Sequence, residues 1–168
     1  MDPSDRRNQL ASPAGRCEHE RDRIDELTSV VDLREAYPVM NRLRPVRKAE
    51  FIRLVEEMWT SEDYRLFALR DGSDDEIRAL AGLAVGVTLY HGRHVWVHDL
   101  VVDEPYRGEG YGSRLLAWVE DWADARDCSR IELASGLWRD DAHEFYEQNG
   151  MERYCYTFKT ELSADSPY

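Results

Sequence analysis

The chain has 168 residues, 42% of them hydrophobic, and a net charge of −12 from 34 acidic and 22 basic residues. That length suits one domain with one core. The acidic field repels phosphate backbones and excludes a nucleic-acid partner, and no apolar run approaches the roughly 20 residues that span a membrane.

Residues 1–22 are polar, contain Pro3, Pro13 and Gly15, and lack the apolar stretch of a secretory signal. They read as a disordered tail on a cytoplasmic protein, with the folded domain at 23–162 and a flexible tail, "SADSPY", at 163–168. Cys17, Cys128 and Cys155 form no CxxC pair, so neither a disulfide framework nor a zinc site is indicated.

"DLREAYPVM" places Leu33, Ala36, Tyr37 and Met40 at helical spacing behind Asp32 as cap, and Pro38 is expected to kink or split that helix. "FIRLVEEMWT" makes a cleaner apolar face from Phe51, Leu54, Val55, Met58 and Trp59. Strands follow: "YRLFALRDG", ending at Gly72, then "IRALAGLAVGVTLY" and "HVWVHDLVV", joined as a hairpin by "HGR". After the glycine-rich "RGEGYGSRLL", a helix carries Leu115, Leu116, Val119, Trp122 and Ala123 on one face. "RIELAS" reads as a strand, and "DDAHEFYEQNG" as a helix capped by Asp140 with Gly150 just past its end. "RYCYTFKT" alternates as a last strand, with Tyr154, Tyr156 and Phe158 on one face. The order is strand, two helices, antiparallel strands, helix, strand, helix, strand. That is an α/β (α+β) layered fold with helices on both faces of the sheet.

A strand ending at Val102, a loop, and an amphipathic helix starting near Gly112 make an anion site. The first turn of a helix leaves backbone N–H groups unpaired, and its dipole favours negative charge. Arg107 adds a positive edge. A P-loop would need a lysine here, and a dinucleotide fingerprint would need glycine where Ser113 stands. Arg-x-x-Gly-x-Gly fits, through Arg107, Gly110 and Gly112.

"DLVVDEPYRGEGYGSRLLAWVEDWA" resembles the acetyl-CoA-binding segment of the GCN5-related N-acetyltransferases (GNAT), and "IELASGLWRDDAHEFYEQNGMERY" resembles their following strand and helix. The resemblance runs from about residue 28 to 160 and is most specific over 98–151. It implies a mixed, mostly antiparallel central sheet with a splayed slot for acetyl-CoA as co-substrate. It implies that the backbone of Leu100, Val101 and Val102 pairs with the pantetheine arm. The amides of Gly108, Glu109, Gly110, Tyr111, Gly112 and Ser113 then hold the pyrophosphate. Where many members carry asparagine, three residues before the alanine matched by Ala142, this chain has Arg139, which offers a phosphate contact instead. The last helix is closest to a subgroup reading Arg-x-x-Ala-His-x-Phe-Tyr, aminoalkylphosphonate acetyltransferases among them; a helix motif alone carries no substrate.

Acetyl transfer to an amine needs a base for the ammonium proton and an acid for the departing thiolate. The resemblance implies that Tyr146 is the acid; read alone, it is better taken as a core aromatic. His98 shares a strand face with Trp96 and Leu100, and some members of the family it resembles keep a histidine or glutamate at this position as the base or as the holder of a relay water; the alternative is a structural histidine. Asp99 is expected on the opposite face, as an amine anchor of lower rank. His94 and His98 lie about 13 Å apart along a strand, too far to share an ion, and no metal is expected.

The expected activity is therefore acetyl transfer to a primary amine of a small molecule. A non-catalytic acyl-CoA-binding module and a protein acceptor are the alternatives, and a homodimer stays open. The acceptor pocket is expected from residues 37–47 and from the strands around Trp96 and Trp138. Arg42, Arg44 and Arg47 either hold an acidic group of the substrate or sit on an exposed turn.

Overall fold

Three long apolar alternations build the centre of the sheet. The computed structural model describes residues 22–72 and 74–162, so the expectations for the two tails lie outside the described residues. In chain order the elements are β1 (Asp22–Leu27), α1 (Val30–Leu43), α2 (Lys48–Ser61), β2 (Arg65–Asp71), β3 (Ile77–Thr88), β4 (Gly92–Val102), a 3-10 turn (Glu104–Tyr106), α3 (Tyr111–Asp124), β5 (Ile131–Glu132) and α4 (Asp140–Gln148). The strands lie in the order β1-β2-β3-β4-β5, antiparallel except for the parallel β4/β5 pair. The sheet is mixed and mostly antiparallel, as the sequence implies.

β3 alternates between two cores. Leu80 joins Leu33, Ala36, Val39, Met40, Phe51 and Val55 on the α1/α2 face. Ala79, Ala81 and Leu83 join Leu115, Val119, Trp122 and Ala123 of α3 on the other. Burying each large aliphatic side chain is worth about 1.5–3 kcal/mol. The helices thus cover both faces of the sheet.

The ends of α1 and α4 differ from the sequence reading. Ser29 caps α1 by accepting from the Asp32 amide, and the Asp32 carboxylate accepts from the Ser29 amide, a reciprocal box. Asp32 is thus the third helical residue, not the cap. Pro38 neither splits nor ends α1. Pro38 and Arg34, one turn before it, both lie on the exposed face, while Ala36, Val39 and Met40 anchor the buried side. In α4 the cap position is Arg139, without a side-chain bond, and Asp140 begins the first turn. Gly150, at φ +84, closes α4 as expected: its amide and that of Met151 bond back to Glu147 and Tyr146.

Two expected strands are reduced. Only Ile131 and Glu132 of "RIELAS" pair, with Val95 and Trp96. "RYCYTFKT" forms no strand, and Tyr156 and Phe158 are 78% and 92% exposed. An alternating pattern needs a neighbouring edge to become a ladder, and β5 offers two residues. Arg153 pairs back to Glu147 of α4 at 2.7 Å, and the Tyr154 hydroxyl lies 2.7 Å from that of Tyr90 on the β3–β4 turn.

Candidate active site

The pairing of β3 with β4 skips one residue: Leu83 opposes Val97 and Gly82 opposes Asp99, leaving His98 as a bulge. The phase of β4 slips there. Val95 and Val97 face the α3 core before the bulge, and Leu100 and Val102 face it afterwards. The expectation that His98 and Asp99 point to opposite faces is therefore wrong, because strict alternation holds only in an unbulged strand. The His98 ring packs edge-on against Tyr64, with centroids 5.6 Å apart, and the Tyr64 hydroxyl donates to Asp99 Oδ2 at 3.0 Å.

A clamp holds this bulge. Arg44 donates through Nε to Asp99 Oδ1 and through Nη2 to the His98 carbonyl, both at 2.9 Å. Both carboxylate oxygens of Asp99 are thus occupied. Burial, reinforced by the adjacent Asp99 charge, pushes the Tyr64 phenol well above its ordinary range, so it stays a donor. Gly82 makes room: a Cβ there would stand 2.0 Å from the Tyr64 hydroxyl. Arg42 instead ties down the turn after β4 through Asp103 and Glu104, and Arg47 stands at the start of α2.

Beyond Val95 and Trp96 the edge of β4 has no strand partner among the described residues, because β5 ends at Glu132. The gap is a cleft lined by Leu43, Arg44, Val97, His98, Leu100, Leu133, Ala134, Arg139 and Tyr146. His98 and Tyr146, far apart in sequence, meet in it. Burial lowers the His98 pKa; Asp99 and Glu62 oppose that shift, and Arg44 adds to it. Burial raises the Tyr146 pKa, against Arg139 and Arg44. The cleft therefore holds a neutral imidazole able to accept a proton and a phenol able to give one.

Past Val102 the chain reaches the glycine loop. Gly108 and Gly110 have φ of +81 and +84, and open space where a Cβ would stand. Gly110 caps α3, whose first amides, those of Tyr111, Gly112 and Ser113, have no intrahelical acceptor. Arg107 and Glu109 are exposed on the same loop. Two loop residues also serve packing. The Tyr111 ring is buried and donates to Asp71, and a Cβ on Gly112 would press on Phe145 and Val102 at 3.2 and 3.3 Å. Val101 faces the α1/α2 core, so its backbone alone is available to a ligand.

Tyr64, Gly82 and the role of Arg44 were not legible in the sequence. In the sequence Tyr64 only opens the run "YRLFALRDG", and Gly82 only lies inside "IRALAGLAVGVTLY". The one available signal was a His–Asp pair inside an apolar strand.

The model of the acetyltransferase (GNAT) family matches residues 28–151. An uncharacterised N-acetyltransferase of Bacillus subtilis is 38% identical over 138 residues, 81% of this chain and 96% of that one. The aminoalkylphosphonate N-acetyltransferase of Salmonella typhimurium is 36% identical over 100 residues, 59% of this chain and 62% of that one. An aminoglycoside N-acetyltransferase solved in complex with CoA has a TM-score of 0.71 at 14% identity, over 84% of this chain and 95% of that one; at this identity the likeness is one of fold.

Proposed function

The chain belongs to the acetyltransferase (GNAT) family and is an N-acetyltransferase, and we propose that it acetylates the primary amine of a small molecule, with His98 as base and Tyr146 as acid. The observation that carries this reading is the meeting of those two groups in one cleft, beside an open strand edge that leads to a glycine-rich helix start.

The residues present fit acetyl-CoA. The unpaired amides at the start of α3 and the space over Gly108 and Gly110 suit a pyrophosphate, and the exposed Arg107 adds charge. The free backbone edge of Leu100, Val101 and Val102 suits the amides of the pantetheine arm. When bound, acetyl-CoA supplies the acetyl group as a thioester, activated toward amines.

The chain's own residues do the rest. Alkyl amines are mostly protonated at neutral pH. His98, kept neutral by burial, takes the ammonium proton directly or through one water. Tyr146, kept protonated by burial, is the donor on the opposite wall. The Arg44–Asp99–Tyr64 clamp fixes the His98 backbone so that the imidazole faces the cleft.

A panel of small primary amines, assayed by thiol release from acetyl-CoA, tests the reading. Several small amines should raise release well above the hydrolytic background. Release only with peptide or protein amines would overturn the small-molecule acceptor while leaving the transferase intact. The described residues include no helix long and apolar enough to cross a membrane, which fits an assay in plain buffer.

A further inference from the structure

The cleft carries a charge opposite to that of the molecule. The chain has 34 acidic residues, yet none of those among the described residues lines the cleft; its charged lining is Arg44 and Arg139. Asp99, which is not among the lining residues, balances Arg44. Nothing among the described residues balances Arg139. The other arginines that are at least partly buried are all held. Arg65, Arg70, Arg78 and Arg114 pair with carboxylates, and Arg126 bonds a carbonyl. The Arg139 side chain is half-buried with no such partner, and both it and Arg44 act on the Tyr146 phenol. A partly desolvated guanidinium without a counter-ion is costly unless a ligand supplies one.

We propose that Arg139, together with Arg44, forms an anion subsite for the acceptor, so that the amine to be acetylated belongs to a molecule that also carries a carboxylate or phosphonate. This rests on the reading that His98 and Tyr146 mark the reacting centre. Coenzyme phosphates carry the same anionic chemistry, but their cradle is the loop beyond Val102. His98, which shares the cleft with Arg139, lies four residues earlier on β4, about 13 Å along the strand. A zwitterionic acceptor also resolves a conflict of fields. The net charge of −12 repels a simple anion, whereas a zwitterion has no net charge to repel and presents each end to its own partner.

The test compares glycine, β-alanine, 4-aminobutyrate and 2-aminoethylphosphonate with the carboxamides of the three carboxylates, as kcat/KM per neutral amine. At least one acid should exceed its amide by about 10-fold to 100-fold, the range of a bond to a charged group. R139Q should remove most of that preference, and R139K should keep part of it. In a parallel arm, calorimetry with coenzyme A should give wild type and R139Q affinities within about 2-fold of each other, well under the tenfold that 1.4 kcal/mol represents. Amides accepted as well as acids would overturn the subsite and leave the transferase reading standing. An intact acid preference in R139Q, with coenzyme A bound tenfold more weakly, would assign the arginine to a phosphate and overturn it as well. A wild-type enzyme inert toward every amine would overturn the reading of the site on which the inference rests, and the inference with it.

Discussion

At His98 and Tyr146 the same loss of water acts in opposite directions. Burial disfavours whichever form is charged, so it lowers the imidazole pKa and raises that of the phenol. The ascending limb of kcat/KM should therefore lie below the ordinary imidazole value of 6.5 and vanish in His98→Ala. A limb that survives the substitution would assign the titration to another group. The sign carries over to stability. With a folded pKa below the unfolded one, the contribution of His98 is complete above about 6.5 and lost as the pH falls through the folded value, so wild type should lose melting temperature in acid faster than His98→Gln. Tyr146→Phe keeps the ring and removes one donor. A proton needed mainly as the carbon–sulfur bond breaks appears in kcat, so turnover should fall by about 100-fold to 10,000-fold while coenzyme A affinity holds. Near-normal kcat in a variant with an unchanged melt would make Tyr146 a packing residue.

Local elements set how these side chains are held. Gly110, the cap of α3, and Gly150, closing α4, share a φ of +84 with open space at the Cβ position. Alanine at either is strained by about 1–2 kcal/mol, since L side chains resist the left-handed region. Both variants should lose a similar few degrees of melting temperature, but only Gly110→Ala should weaken coenzyme A binding in calorimetry, because only Gly110 begins the helix proposed above to offer its amides to the phosphate. Equal affinities would remove the pyrophosphate from the 108–113 loop. The bulge gives a second test. In Gly82→Ala a Cβ would meet the Tyr64 hydroxyl at 2.0 Å and drive the ring off Asp99. Overpacking of this kind costs about 1–3 kcal/mol, which lowers the melting temperature by about 2–12 °C for a chain of this size. Its kcat should fall with it, since the support behind His98 goes; a normal kcat would show the clamp to be a stability feature alone.

Across the molecule, order is unequal. Residues 77–84 of β3 are buried, and 79–83 pair with both β2 and β4, whereas residues 152–162 are exposed and lie outside the sheet. Amide hydrogen exchange should follow. The inner amides of β3 and β4 should open only with global unfolding, and those of 152–162 should exchange early, at rates near those of an unstructured peptide. Protection in 152–162 matching that of β3 would place this segment in a ladder after all. The slot of the active site also belongs to the whole chain. It exists because β5 pairs with β4 for two residues and then departs, which leaves the outer edge of β4 without a partner among the described residues.

Amphipathic spacing alone determined that α2 and α3 would each bury a stripe, because a helix face is set by residues three and four apart. Alternation determined β2, β3 and β4 in the same way, and the glycine spacing after Val102 marked the start of α3. These are local rules, and the physics that enforces them is local. The sequence did not determine that "RYCYTFKT" would stay outside the sheet, because pairing depends on the length of a neighbouring edge, and β5 supplies two residues. Nor did it determine that His98 and Asp99 would both meet Tyr64. That outcome needs a one-residue slip between β3 and β4, a glycine at 82 to admit a ring from another element, and an arginine from the end of α1 to hold the bulge. Each is a contact between segments far apart in the chain. Only the tertiary structure sets them, because side-chain direction in a strand follows from its register with its neighbour, and register is a property of two strands together.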